Sequence, residues 1–471
     1  RLARRQKTVQ TSLANFESLY QINITVGTPG QTLGLQIDTG SSDVWFPSSS
    51  SSDCQQNECV GGAFDSDSSS TFVDVAANAF QIQYVDGTTI QGDYIRDTLR
   101  IGNTAISNMT MALASDTGGS PEGIMGIGYV SDETIVQTNP EGIYPNVPVQ
   151  LQNQGYINTV AYSLWLNDLD ANTGSILFGG VDSDKYHGDL IGLPVQPDSQ
   201  TNSITSFTVA LSSMNLTTKA GTSVYNQATL DLPAILDSGT TLTYLPDNLA
   251  TDILQGVGAI NDRDFGYIVR CSLGDTGANF NFGFGGSGGP VITVPMNEML
   301  IPLTDQNGSP LTFRNGDEVC NFGINPAGSD PILFGDTFLR SAYVVYDLHN
   351  NQIALANTNF NATSSSIQEI TNSTVPGVSS VASGVTVTQT ATGAIHQTTG
   401  VRSRATGDAG ATAASATFDF GATGTSGSSS SSSTKTGAAA AVLPPRMALE
   451  TVAMGGVVVL SALFGGSLFI L

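Results

Sequence analysis

An all-β fold is predicted for the chain up to about Phe360, and three observations predict it. Short runs rich in Val, Ile, Thr, Phe and Tyr are interrupted by Gly, Asn, Asp and Pro, and few stretches repeat with the helical period. In the stretch from Phe80 to Tyr94, Phe80, Ile82 and Tyr84 alternate with Gln81 and Gln83, and Asp86-Gly87 supplies a type I′ turn for a hairpin with a polar, projecting tip. The chain also repeats itself at long range. GLQIDTGSSDVWFP (Gly34 to Pro47) returns as AILDSGTTLTYLP (Ala234 to Pro246), aligning Ile37 with Leu236, Asp38 with Asp237, Thr39 with Ser238, Gly40 with Gly239, Ser41 with Thr240 and Trp45 with Tyr244. A second echo joins GIMGIG (Gly123 to Gly128) to ILFGDTF (Ile332 to Phe338). The same two elements in the same order predict a duplicated β domain with a cleft between the copies.

At 471 residues the chain has room for two or three domains. Its 16 Lys+Arg against 40 Asp+Glu exclude the basic footprint that a nucleic-acid phosphate backbone requires. Only 12% of residues are charged, so surface polarity rests on Ser, Thr, Asn and Gln. Such a surface suits an acidic compartment; the alternative is that it keeps a secreted protein soluble. The four cysteines fall into Cys54/Cys59 and Cys271/Cys320, without zinc-ribbon spacing, and the three histidines are scattered, so no metal is expected. Two disulfides, one in each half, are the expected reading, and they place the chain in an oxidising compartment. Sequons at Asn23, Asn108, Asn215, Asn361 and Asn372 point the same way.

The two ends read as address segments. The chain opens at Arg1 without an apolar signal, so a signal removed upstream is expected. Arg1, Arg4, Arg5 and Lys7 form a basic arm, read as the tail of a propeptide that neutralises an acidic cleft, or else as a disordered arm. From Asn361 to about Gly437, Ser, Thr, Gly and Ala dominate, so this tract should stay disordered, as an O-glycosylated stalk would. Gly437 and two alanines, a spacer with Pro444 and Pro445, and an apolar run from Val452 to Leu471 give the layout of a GPI-attachment signal, with Gly437 as the attachment residue. A tail-anchored helix is the alternative, since about 20 apolar residues span a bilayer.

The repeated aspartates carry the chemistry. Each ends an apolar run, where an unpaired charge is costly. If the two halves face each other, Asp38 and Asp237 meet, and two touching carboxylates share one proton and titrate in two separated steps. The ionised member can take a proton from water while the protonated member donates to a carbonyl oxygen. Gly40 and Gly239 allow close backbone approach, and Ser41 and Thr240 can donate to the carboxylates. Neither a cofactor nor a G-x-S-x-G nucleophile is called for.

With these elements in place, the chain resembles the pepsin family of aspartic endopeptidases, themselves the standard example of a shared-proton carboxylate pair. The likeness covers most of Phe16 to Ala356 and includes YQINITVGTPGQ, EGIMGIG, SILFGGVD and ILFGDTFLRSAYVVYDLHNNQIALA. It implies a bilobal pepsin-like fold of two barrel-like lobes, at residues 16–190 and 191–358. Before them would lie a residual propeptide arm (1–15), and after them a stalk (359–437) and an attachment signal (438–471). It also implies that Tyr84 is the flap tyrosine, near Gly87 at the hairpin tip, with Trp45 as its hydrogen-bonding partner; core packing is the alternative for both. Both cysteine pairs fall where the family keeps disulfides, and a third pair known from some animal members has no counterpart. Protein and peptide substrates, pepstatin-type inhibitors and a monomeric state follow from the resemblance. The stalk and tail are similar to the fungal yapsin subgroup, which implies the secretory pathway and a GPI-anchored place at the plasma membrane or cell wall. Asp86 sits where an acidic flap residue in some relatives accepts Lys or Arg beside the scissile bond; turn chemistry explains it equally. Two rival functions are a peptide-binding relative without catalysis and a wall adhesin. The first should have lost an aspartate or a flanking hydroxyl, and the second leaves the paired motifs unexplained.

Overall fold

The computed structural model describes residues 6–56, 58–84, 87–120, 122–198, 202–225, 230–305, 307–371, 374–382, 385, 387 and 418. Asp86, Asn372, Gly437 and the apolar C-terminal run lie outside the described residues.

Strands dominate, and the first lobe closes into a barrel. Tyr20–Val26 pairs with Gln31–Asp38, which runs parallel to Gly123–Gly126, and that strand pairs with Val44–Pro47. The path continues through Thr104–Asp116 to Thr89–Ile101 and returns to Tyr20–Val26. Along Gln31–Asp38, Leu33, Leu35 and Ile37 alternate into the core, while Thr32, Gly34, Gln36 and Asp38 share the other face, which puts the carboxylate on the polar side of the strand. The second lobe repeats the arrangement. Leu232–Leu236 runs parallel to Leu333–Phe334, and Thr243–Leu245 lies antiparallel on its other side. The two sequence echoes are therefore one supersecondary unit used twice.

Between the lobes the large sheet runs on through Val9–Asn15, Thr173–Phe178, Ala161–Trp165, Ala342–Asp347, Gln352–Thr358 and Tyr186–Pro194. Strands from both halves share this platform, and position 190 falls inside one of its strands, Tyr186–Pro194. Tyr162 stacks on Tyr346 at 5.1 Å, and Phe207 meets Tyr346 edge-on at 4.6 Å, so aromatic packing continues across the junction.

Three expectations need correction. Residues 9–15 are not part of a loose arm: Val9 and Leu13 alternate into the core, and the strand pairs with Thr173–Phe178. The hairpin tip is not a two-residue type I′ turn. Tyr84 N donates to Thr88 O, Gly87 N donates to Tyr84 O, and Gly87 takes φ 88°, so the connection holds three residues, with glycine in the left-handed region. Nor are the described residues that follow Asn361 without structure. Ile367–Glu369 pairs with Gly180–Asp182, Val378–Val381 lies parallel to Tyr186–Pro194, and Ile370 is fully buried. A few apolar residues amid Ser and Thr are enough where a platform edge offers backbone partners.

The cysteines form two disulfides, Cys54–Cys59 and Cys271–Cys320. Asn23, Asn108 and Asn361 are exposed, whereas Asn215 is half-buried and accepts a hydrogen bond from Asn281 Nδ2 at 2.8 Å. Among the described residues no helix is long and apolar enough to cross a membrane.

Candidate active site

Asp38 ends its strand and Asp237 immediately follows Leu236, each at the exit of a buried parallel pair and each fully shielded from solvent. Their surroundings are near mirror images. Gly40 N donates to Asp38 Oδ1 at 2.7 Å, and Gly239 N donates to Asp237 Oδ1 at 2.8 Å. The Ser41 hydroxyl donates to Asp38 Oδ2, and Thr240 Oγ1 donates to Asp237 Oδ2 at 2.5 Å. Four donors thus hold two carboxyls that lie close enough for the charge of one to act on the other.

Glycine at position 239 is a steric requirement, since a Cβ there would lie 2.3 Å from Asp38 Oδ1. The glycines of the second echo are confined in the same way. A Cβ on Gly126 would meet Asp43 O at 2.6 Å, and one on Gly335 would meet Thr240 O at 2.2 Å. The second element of each half therefore presses its backbone against the loop that carries the aspartate.

Burial raises both carboxyls. For Asp38 the negative charge of Asp237 adds to desolvation, while Ser41 and Gly40 pull the other way. For Asp237 the Thr240 hydroxyl, Asp38 and the Gly239 and Gly40 amides offset part of the burial. Two carboxyls this close share a proton, and their two titration steps belong to the pair rather than to either residue.

Two further residues, not among the candidates read from sequence, have a part here. Thr39 Oγ1 donates to Leu236 O at 3.0 Å and accepts from Ser238 N at 2.9 Å. Ser238 Oγ donates to Ile37 O at 2.9 Å and accepts from Thr39 N at 3.2 Å. This reciprocal clasp ties the two aspartate loops together across the lobe boundary. The repeat aligns Thr39 with Ser238, so the signal is there: a hydroxyl at both positions.

The hairpin Val73–Gln83/Thr89–Ile101 carries Tyr84, and Trp45 Nε1 donates to Tyr84 Oη at 2.6 Å. Phe80, Ile82, Tyr84, Ile90, Tyr94 and Tyr144 pack with Trp45 into a satellite core that seats the hairpin on the first lobe. Beneath it lie two buried acids. Asp43 accepts from Tyr144 Oη at 2.5 Å and from Thr134 N at 2.8 Å, and Glu133 accepts from Tyr144 N at 3.0 Å. Under the other aspartate, buried Arg340 pairs through Nε with Glu298 at 2.9 Å. Among the described residues no three His, Cys, Asp or Glu side chains gather as a metal would need.

The structure thus brings together Asp38, Asp237, Gly40, Ser41, Gly239 and Thr240 as one cluster, with Trp45 and Tyr84 as a second. Comparison with known proteins agrees with this geometry. Residues 19–358 match the eukaryotic aspartyl protease family model. The chain is 43% identical over 392 residues to a probable aspartic-type endopeptidase opsB of Aspergillus oryzae, covering 81% of this chain and 78% of that protein. It is 37% identical to an acid protease of Saccharomycopsis fibuligera, over 75% of this chain and 84% of that protein. A secreted aspartic protease 3 of Candida albicans is also 37% identical, over 78% and 86% of the two chains. The chain belongs to the eukaryotic aspartyl proteases of the pepsin family and is an aspartic-type endopeptidase.

Proposed function

We propose that Asp38 and Asp237 are the catalytic pair, activating water by general acid–base chemistry for attack on a peptide carbonyl. The observation that carries this is the matched set of donors around two fully buried carboxyls brought together by the two lobes. Ionised Asp237 takes a proton from the attacking water, and protonated Asp38 donates to the carbonyl oxygen as the tetrahedral centre forms. The Gly40, Ser41, Gly239 and Thr240 donors keep the carboxyls oriented, which is where positioning contributes to rate. Tyr84 and Trp45 hold the hairpin as a flap over an extended peptide. Replacing Asp38 or Asp237 by Asn should remove at least about 10³-fold of kcat, since the shared proton no longer has two owners. Retained turnover in either variant, or activity untouched by pepstatin, would refute the assignment.

The two-lobed division of the enzyme, the secretory route and the surface anchoring belong to the same proposal. The paired disulfides, the exposed sequons, the Ser/Thr-rich tract and the apolar run to Leu471 support it. A relative named as a secreted protease supports the route as well. We place attachment at Gly437 in the yapsin-like manner, and a monomer as the working state. Mass spectrometry of the mature C-terminus tests the anchor: a chain still ending at Leu471 overturns it. Asp86 on the flap is proposed to favour Lys or Arg beside the scissile bond; an unchanged Lys-to-Leu preference in Asp86→Ala rules this out.

A further inference from the structure

We infer that the C-terminal lobe carries a built docking seat for an aromatic residue, and that Phe418 of the chain's own Ser/Thr-rich tract occupies it. The seat is the end of the helix Asp247–Val257. Its inner face, Leu249, Ala250, Ile253, Leu254 and Val257, is consumed by the lobe core. Gly256 sits among these residues and is buried, although glycine inside a helix is destabilising relative to alanine. Conformation does not explain it, because Gly256 is absent from the positive-φ residues and Gly258, at φ 73°, already provides the left-handed cap. Space does explain it. A Cβ on Gly256 would lie 1.9 Å from Phe418 Cε2 and 2.1 Å from its Cζ.

Two further contacts complete the seat. Phe418 N donates to Gly256 O at 3.0 Å, satisfying one of the carbonyls that a helix leaves open in its last turn. The ring meets Tyr225 edge-to-face, with centroids 6.3 Å apart at 87°. Tyr225 is half-buried, and its Oη has no hydrogen-bond partner among the described residues, so this side chain serves the site as an aromatic wall.

The occupant is unusual for its surroundings. Between Asn361 and Gly437, Phe418 and Phe420 are the only Phe, Tyr or Trp residues in a tract of Ser, Thr, Gly and Ala. The tract is held at its other end as well. Val378–Val381 pairs with the platform, and Val387 N donates to Gln196 Oε1 at 3.4 Å. With one end already fixed, docking is intramolecular, so ring burial, the edge-to-face contact and the Gly256 hydrogen bond together need to reach only a modest affinity. Whatever follows residue 418 then starts its course from this helix. In terms of the anchor proposed above, the docking would orient the enzyme relative to its support, but the seat does not depend on that anchor.

The test uses the full chain with a photo-crosslinking benzoyl-phenylalanine at position 418. Irradiation of dilute protein followed by peptide mapping should place the crosslink within the molecule, on Gln255–Val257 or Tyr225. Gly256→Ala adds one methyl group, favours the helix and must displace the ring. It should cut that crosslink about tenfold while leaving the melting temperature unchanged or higher. Crosslinks scattered over the surface or formed between molecules would overturn the inference, as would equal yields with and without the Gly256→Ala substitution. A loss of crosslink accompanied by a lower melting temperature would also count against it, since the glycine would then be serving the fold.

Discussion

Glu133 should make this protein lose stability as the pH rises towards neutral, and one substitution should remove much of that loss. The side chain is fully buried beneath the flap-bearing core; its Oε2 accepts from Tyr144 N, and its Oε1 has no partner among the described residues. Burial pushes its carboxyl from an ordinary 4.5 up to about 9; the Tyr144 amide opposes this, and nearby Asp43 adds to it. Because the folded value is the higher one, the folded chain binds more protons than the unfolded chain between these limits. The contribution is complete below about 4.5 and is lost progressively up to about 9. At about 1.4 kcal/mol per pH unit, going from pH 4.5 to 7.5 costs up to roughly 4 kcal/mol, or about 8 to 16 °C in melting temperature. Glu133→Gln keeps the shape and an acceptor for the Tyr144 amide but has no proton to lose. Melting wild type and Glu133→Gln at both pH values, at one scan rate, should show the variant losing at least several degrees less. Parallel losses in the two proteins would refute the reasoning.

Other perturbations test other parts of the fold. Replacing Cys271 and Cys320 together by Ala opens a loop with a sequence separation of 49, which the chain-entropy relation values at about 4 kcal/mol. Denaturant titration should show that loss, whereas opening Cys54–Cys59, with a separation of 5, should cost visibly less. Arg340→Met strands the buried Glu298 carboxylate and should destabilise by roughly 3–5 kcal/mol, with much of it recovered when Glu298→Met is added; denaturant titration of the single and double variants checks this. Thr39→Val removes both hydrogen bonds of one hydroxyl in the lobe clasp. It should lower kcat by about tenfold or more with little change in KM in steady-state peptide cleavage, because the aspartates lose their mutual register.

The sequence is most legible where physics repeats. Asp38 and Asp237 announce themselves because the same residue types recur in the same order, and duplication leaves an internal copy to compare. The second echo is legible too, although its meaning is not: Gly126 and Gly335 are needed because loop carbonyls lie too close for a Cβ. Contacts between residues far apart in the chain leave no local pattern. Glu133 and Asp43 look like ordinary surface acids in sequence, and only the packing of Tyr144 and the hairpin buries them. The strands Ile367–Glu369 and Val378–Val381 are hidden for a related reason. Their own composition argues for disorder, and their order is supplied by the platform strands they meet. The tip between Tyr84 and Thr88 differs from its expected length by one residue because Asp-Gly fits two hairpin connections and only the strand register selects between them.

Duplication explains the geometry of the pair but not its division of labour. Two identical settings would leave no reason for the proton to prefer either carboxyl. The flanks break that symmetry. On the side of Asp38 lie two buried acids: Asp43, pushed by burial to about 6, and Glu133, pushed to about 9. Behind Asp237 lies Asp336, whose carboxyl is raised by burial and by Asp237 but lowered by Arg340. Arg340 is fully buried and hydrogen-bonds to Glu298 and to the carbonyl of Glu17, so its charge is fixed in place. The surroundings of the two lobes therefore differ in charge where the aspartate loops do not: two buried acids on the first, an acid beside a buried cation on the second. The copied loops bring two like carboxyls together, and any difference between them has to come from the uncopied residues beneath, because the donors they receive are the same.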